Sequence, residues 1–260
     1  MPRSYLPSPG HYPYFWLPPI LALPLLWPLT HPVDNRALFL AFNGLAAWLP
    51  DSLWSCVTVL GDTLVALCLT LPLLRRRPDL VIAALIASLP ATLISHGLKD
   101  ALDMPRPFAV LGNAVHVIGP HLTAGSFPSG HTTTAFVLAS ILAAGTRNRG
   151  LALGVLCLAL LVGMARVAVG AHWPLDVAGG MLCGWFSALI GLYLARRFTG
   201  PGNRIAREGI RLFLIACLVY LFFFYDSGYP LARPFEQALC LAVLVYHLLP
   251  GWSLARHAPD

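Results

Sequence analysis

The chain has 260 residues, 57% of them hydrophobic and only 11% charged, with a mean hydropathy of +0.71 and a formal net charge of +6. Ordinary soluble domains carry about 25% charged residues, so the composition excludes a soluble globular protein and points to one whose solvent is the lipid bilayer. The positive balance then reads as membrane topology, and no nucleic acid is expected as a partner.

A spanning helix needs about 20 predominantly apolar residues, and the sequence predicts eight such segments. They run Tyr14 to Leu29, Leu53 to Leu74, Leu80 to Leu98, His131 to Gly145, Leu151 to Val169, Pro174 to Leu194, Ile210 to Tyr225 and Phe235 to Leu249. The first is interrupted by Pro18, Pro19, Pro24 and Pro28, and the fourth is short. Between the first two, Leu38, Phe42, Leu45 and Leu49 repeat at helical spacing beside Arg36 and Asn43. Asn35 to Leu49 therefore reads as an interfacial helix, with Trp48 near the headgroups. The Pro-rich start, Met1 to Pro13, lacks a charged region followed by a cleavage site, so the first helix is expected to stay uncleaved. The six cysteines sit in apolar stretches without CxxC spacing and read as small buried hydrophobes, neither disulfides nor metal ligands. The fold expected is an all-α, polytopic transmembrane bundle: a domain over residues 1–200, then a C-terminal helix pair in 201–260.

Loops facing the cytoplasm carry the excess of Lys and Arg. With both termini inside, twelve of the seventeen basic residues fall on the inner side, and the outer side keeps Arg36, Lys99, Arg106, Arg166 and Arg233. Lys99 is the single lysine of the chain, and six residues separate it from Arg106-Pro107. Phe127-Pro128-Ser129-Gly130-His131 follows, and then Arg166, five intervening residues, His172, three more, and Asp176. The same topology puts all three clusters on the non-cytoplasmic face. Ionisable groups at membrane helices on the side that the charge bias disfavours mark function, whereas Arg36 and Arg233 read as snorkelling anchors.

Cleaving a phosphate ester takes cations around its oxygens, an in-line nucleophile and an acid for the leaving oxygen. Lys99 offers a point charge, and Arg106 and Arg166 offer planar forks that match phosphate oxygens. Ser129 and Gly130 sit where a helix begins, so their N–H groups and the Ser129 hydroxyl are expected to face an anion. Asp176, four residues after His172, is placed to reach back to its imidazole, fix the tautomer and leave a neutral nucleophile. His131 is then the acid for the leaving group and the base for the hydrolytic water. No metal or other cofactor is expected: three cations stand in for one, and no carboxylate cluster is present to hold magnesium.

These three clusters resemble the signature of the type 2 phosphatidic acid phosphatase (PAP2) superfamily, over a stretch from about Leu80 to Leu194. The resemblance implies a six-helix core, a phosphohistidine mechanism and lipid phosphate substrates. It also identifies His172, His131 and Asp176 as catalytic and Lys99, Arg106, Ser129, Gly130 and Arg166 as phosphate-binding. In that family the third motif usually begins Ser-Arg. Ala165 stands in the serine's place here and removes one expected hydroxyl. The expected function is a lipid phosphatase of the bacterial inner membrane with a periplasmic active site. Undecaprenyl diphosphate is slightly favoured as substrate over phosphatidylglycerol phosphate, phosphatidate or lipid A. A lipid-to-lipid phosphotransferase differs only in the acceptor. A non-enzymatic anion carrier would have no use for the two histidines. Vanadium haloperoxidases, also relatives of this family, are disfavoured because they are soluble.

Other polar residues divide between roles. His96, three residues before Lys99, is as well suited to a contact behind the site as to the interface. His116 and His121 read as solvated loop residues. Asp62 is a costly carboxylate within the second predicted helix, and Gly61-Asp62-Thr63 is placed to reach the active-site cavity.

Overall fold

The computed structural model describes residues 13–198 and 204–249, and among these the regular elements are all helices. Arg3, Arg256 and the start before Pro13 lie outside the described residues. In chain order the helices are α1 (Leu17–Leu29), α2 (Pro32–Ala46), α3 (Asp51–Val59), α4 (Thr63–Thr70), α5 (Pro78–Leu102), α6 (Pro107–Leu111), α7 (Gly130–Gly145), α8 (Arg149–Ala168), α9 (Pro174–Phe198), α10 (Arg204–Phe223) and α11 (Arg233–Leu248).

The second predicted span is broken. Asp51–Val59 and Thr63–Arg75 meet at 62°, and Asp62 sits at the break as the N-cap of α4, accepting from the N–H of Leu64 at 2.8 Å and of Val65 at 3.3 Å. A carboxylate at a helix N-terminus satisfies orphan donors and meets the positive end of the dipole, which accounts for an acid in an apolar segment. Among the described residues, three helical stretches are long and apolar enough to cross a membrane, Pro78–Ala114, Arg149–Ala168 and Pro174–Arg197, or four with the bent pair, beside the shorter apolar helices Pro13–Leu29 and Gly130–Gly145. The last two predicted spans do form helices, yet neither meets that standard. Arg204, Arg207, Glu208 and Arg211 occupy the first half of α10, and α11 has 16 residues.

At the centre, α9 packs against α5, α7 and α1, and α7 pairs with α8. In lipid, helices associate through small residues that let backbones approach. Ala83, Ala87 and Ala91 form such a face on α5, and a Cβ on Gly191 of α9 would lie 2.4 Å from the Ala83 carbonyl oxygen. The opposite face of α5 exposes Leu89 (67%) and Leu93 (73%), as a lipid-facing surface would. The C-terminal pair shares a core with α4: Val65, Cys68 and the following Leu71 cluster with Leu214, Leu218, Leu221 and Cys240. At the end of the bundle away from the motif residues, Arg77 donates to the Gly145 carbonyl at 2.6 Å and Arg75 to that of His247 at 2.7 Å. Both close helix C-termini, where cations are favoured.

Candidate active site

The three motif clusters converge at one end of the bundle because α5 and α8 finish there and α7 and α9 begin there. α5 stops at Asp103, whose φ of 37° is left-handed, and the chain then turns so that Arg106 N–H donates to the Thr123 carbonyl and Ser126 N–H to that of Met104. This pairing lays the segment before α6 against the segment before α7. Arg106, 9% exposed, donates to the carbonyls of Ala124 (2.9 Å), Ala171 (3.0 Å) and Gly125 (3.3 Å). Lys99 Nζ donates to the same Gly125 carbonyl at 2.6 Å. One loop oxygen thus holds two of the predicted phosphate-binding cations side by side.

His172 lies in the short turn between α8 and α9, held by its N–H to the Arg166 carbonyl. Its Nδ1 is 3.2 Å from Asp176 Oδ2, and its Nε2 is 3.2 Å from Arg106 Nη1. A carboxylate only accepts and a guanidinium only donates, so the proton belongs on Nδ1 and the lone pair on Nε2. Asp176 Oδ2 also accepts from Ser126 Oγ at 2.5 Å and from the Trp173 N–H at 2.8 Å. Three donors therefore orient a fully buried carboxylate. Burial pushes the basicity of His172 well below the usual histidine range, and the charges of Arg106, Arg166 and Lys99, with the His131 ring, act the same way. A neutral imidazole with an aimed lone pair is the nucleophilic form.

Arg166, 3% exposed, ends α8 with Nη1 donating to Thr58 Oγ1 and to Tyr229 OH, each at 2.6 Å. His131, in the first turn of α7, lines a cavity of about 190 Å³ between α4, α5 and α7 that also takes in Asp62, Ser95, His96 and Gly130. The bend at Asp62 does reach this cavity, and Tyr225 OH donates to Asp62 Oδ2 at 2.6 Å. Ser129 departs from expectation. Its N–H donates to the Asp176 carbonyl at 3.0 Å, and its buried Oγ caps α7 by accepting from Thr132 N and Oγ1. The Ser129 amide thus braces the site and is not free for an anion. His116 pairs with Asp51 at 2.9 Å, and His121 packs edge-on to Phe108. Ala165 is fully buried in an apolar cluster with Trp54 and Tyr229.

Several contributors lay outside the sequence reading. Ser126 precedes the second cluster by a single residue and carries no spacing signal. Thr58 and Tyr229 reach Arg166 across 108 and 63 residues. Asn43 of α2 donates to the carbonyls of His116, Val167 and Ala168, and Asn35 accepts from Leu175 N–H. The helix expected at the interface therefore clamps both ends of the turn carrying His172. Among the described residues, no three His, Cys, Asp or Glu side chains gather as a metal site needs.

The PAP2 superfamily model matches residues 79–199. Undecaprenyl-diphosphatase BcrC of Bacillus subtilis (strain 168) is 36% identical over 102 residues, covering 39% of this chain and 51% of that protein. Lipid A 1-phosphatase of Rhizobium johnstonii is 38% identical over 110 residues, 40% of this chain and 43% of that protein. The chain thus spans about half the length of the curated relatives it matches. The crystal structure of Aquifex aeolicus LpxE superposes with a TM-score of 0.56 and 32% identity, covering 60% of this chain and 93% of that one. With its apolar helices, the chain is an integral membrane protein. A likeness that takes in nearly all of a solved relative, on the stretch where the family model and the converging clusters coincide, makes this chain a member of the PAP2 superfamily.

Proposed function

We propose that the protein is a membrane lipid phosphatase that hydrolyses a lipid phosphate or diphosphate through a phosphohistidine on His172. The observation that carries this reading is the His172 ring itself, with Nδ1 on Asp176 and the Nε2 lone pair on Arg106. A phosphate arriving at Arg106 takes its Nη1 donor and so frees that lone pair. Nε2 then attacks phosphorus, the bond to the leaving oxygen breaks, and His131, held as imidazolium once the anionic phosphate offsets the surrounding cations, gives that oxygen its proton and becomes neutral. In the second step His131 takes a proton from water, the hydroxide attacks phosphorus, and the P–N bond breaks to release inorganic phosphate. Lys99, Arg106 and Arg166 hold the phosphoryl oxygens as charge moves onto them, with the Gly130 end of α7 beside them.

The names of the relatives support a lipid substrate, and the first of them makes undecaprenyl diphosphate the slightly favoured one. The decisive measurement is phosphate release by the purified chain from undecaprenyl diphosphate, phosphatidylglycerol phosphate, phosphatidate and lipid A, with and without EDTA. Release is expected to persist in EDTA and to be inhibited by orthovanadate, which mimics the transferring phosphoryl group. No release from any of the four, or loss in EDTA with recovery in magnesium, would refute the mechanism.

The arginine asymmetry supports a periplasmic site in a bacterial inner membrane. Thr123 is exposed in the loop that holds Arg106. In intact spheroplasts, Thr123→Cys should react with an impermeant maleimide. Labelling that appears only after permeabilisation would reverse the orientation.

A further inference from the structure

One support of the phosphate site comes from far along the chain. Tyr229 lies in the turn between α10 and α11, beyond residues 79–199 of the family match, and is 3% exposed. Its hydroxyl accepts from Arg166 Nη1 at 2.6 Å, and the guanidinium carbon stands 5.7 Å from its ring centroid. Thr58 Oγ1 accepts from the same Nη1. With both hydrogens of Nη1 committed, the planar fork keeps its Nε edge for another acceptor. Arg166 Nε is buried and has no hydrogen-bond partner among the described residues. A buried, charged donor without a partner is costly unless a ligand meets it.

The ring itself is held by the backbone around it. Gly119 has a φ of +85°, and a Cβ there would lie 2.7 Å from Tyr229 Cε1 and 2.9 Å from the Gly228 carbonyl oxygen. The loop after α6 and the α10–α11 turn can close on each other around Tyr229 only because residue 119 has no side chain.

We infer that Tyr229 is a positioning residue for the phosphate site: with Thr58 it fixes the Arg166 guanidinium so that its Nε edge is presented to a phosphate oxygen. This rests on reading the site as phosphate-binding. A long side chain that enters binding already ordered avoids an entropy cost that a mobile one must meet. The effect should therefore appear in anion affinity even where no reaction occurs.

Orthovanadate titration calorimetry on the purified full chain tests this, with phosphate release measured alongside. Tyr229→Phe keeps the ring and removes the accepting hydroxyl. It should weaken orthovanadate roughly tenfold, the scale of one hydrogen bond to a charged group, and raise KM more than it lowers kcat. In an Arg166→Met background the same change should alter affinity by less than about twofold, because the two residues act as one unit. Unchanged affinity in Tyr229→Phe, or an equal loss in both backgrounds, would overturn the positioning role. Orthovanadate binding that follows this pattern without phosphate release would instead sink the phosphatase reading and leave the positioning role standing.

Discussion

Replacing His172 with alanine is expected to abolish the covalent phosphoenzyme for every substrate, and to lower turnover by on the order of 10⁴-fold or more. The magnitude follows from what the side chain does: among the described residues of the site, no other group has a lone pair held between an orienting carboxylate and a guanidinium. The leaving group should make no difference, since the missing step is bond formation to phosphorus. The parent enzyme adds a pH signature. Burial first, and then the surrounding cations, lower the affinity of His172 for a proton, so its neutral form persists below the ordinary histidine range. With nitrophenyl phosphate, whose leaving group needs no proton, phosphoenzyme formation should therefore hold as pH falls through about 6.5, the usual imidazole value. It should decline only at lower pH. Rapid-quench trapping reads both results. Undiminished phosphoenzyme in His172→Ala would refute the assignment.

What the sequence revealed and what it hid follow a physical division. The clusters at Lys99, Arg106, Ser129, His131, Arg166, His172 and Asp176 were legible because charges in an apolar chain stand out and because Asp176, four positions after His172 and in the first turn of a helix, can reach back to the residue before that helix. Their meeting at one end of the bundle was legible from topology, since alternate helices must return to the same face. The bend at Asp62 was obscured because an apolar run gives the same signal whether it crosses straight or breaks. The sequence reading placed Asp62 inside a continuous span, whereas the carboxylate caps the helix that starts after the break. The partner of the Ser129 amide was hidden for a related reason. A helix N-terminus offers its amides to whatever lies nearest, and here that is the Asp176 carbonyl. Contacts such as Tyr229 to Arg166 or Asn43 to the end of α8 join parts of the chain distant in sequence. They are decided by packing alone, and no local spacing announces them.

For His131 the expected result is a loss that depends on the leaving group, which separates an acid from a residue that merely lines the cavity. A lipid alkoxide is a poor leaving group and must be protonated as its bond to phosphorus breaks, whereas nitrophenolate departs with little help. His131→Ala should slow phosphoenzyme formation from a lipid phosphate by roughly 10² to 10⁴, the usual contribution of a positioned acid, and barely affect it with nitrophenyl phosphate. The second step reverses the dependence. Once the phosphohistidine has formed, the leaving group is gone, and the water still needs a base whatever the substrate was. Breakdown should then be slowed equally for both substrates, and with the nitrophenyl ester the phosphoenzyme should build up, because it forms at nearly the normal rate and decays slowly. The cavity around His131 reaches Ser95, His96 and Asp62, so a simple cavity-lining role predicts something different: altered KM for the bulky lipid and normal chemistry for the small ester. Equal losses for both leaving groups during phosphoenzyme formation would remove the acid role. Failure of the intermediate to accumulate would remove the base role.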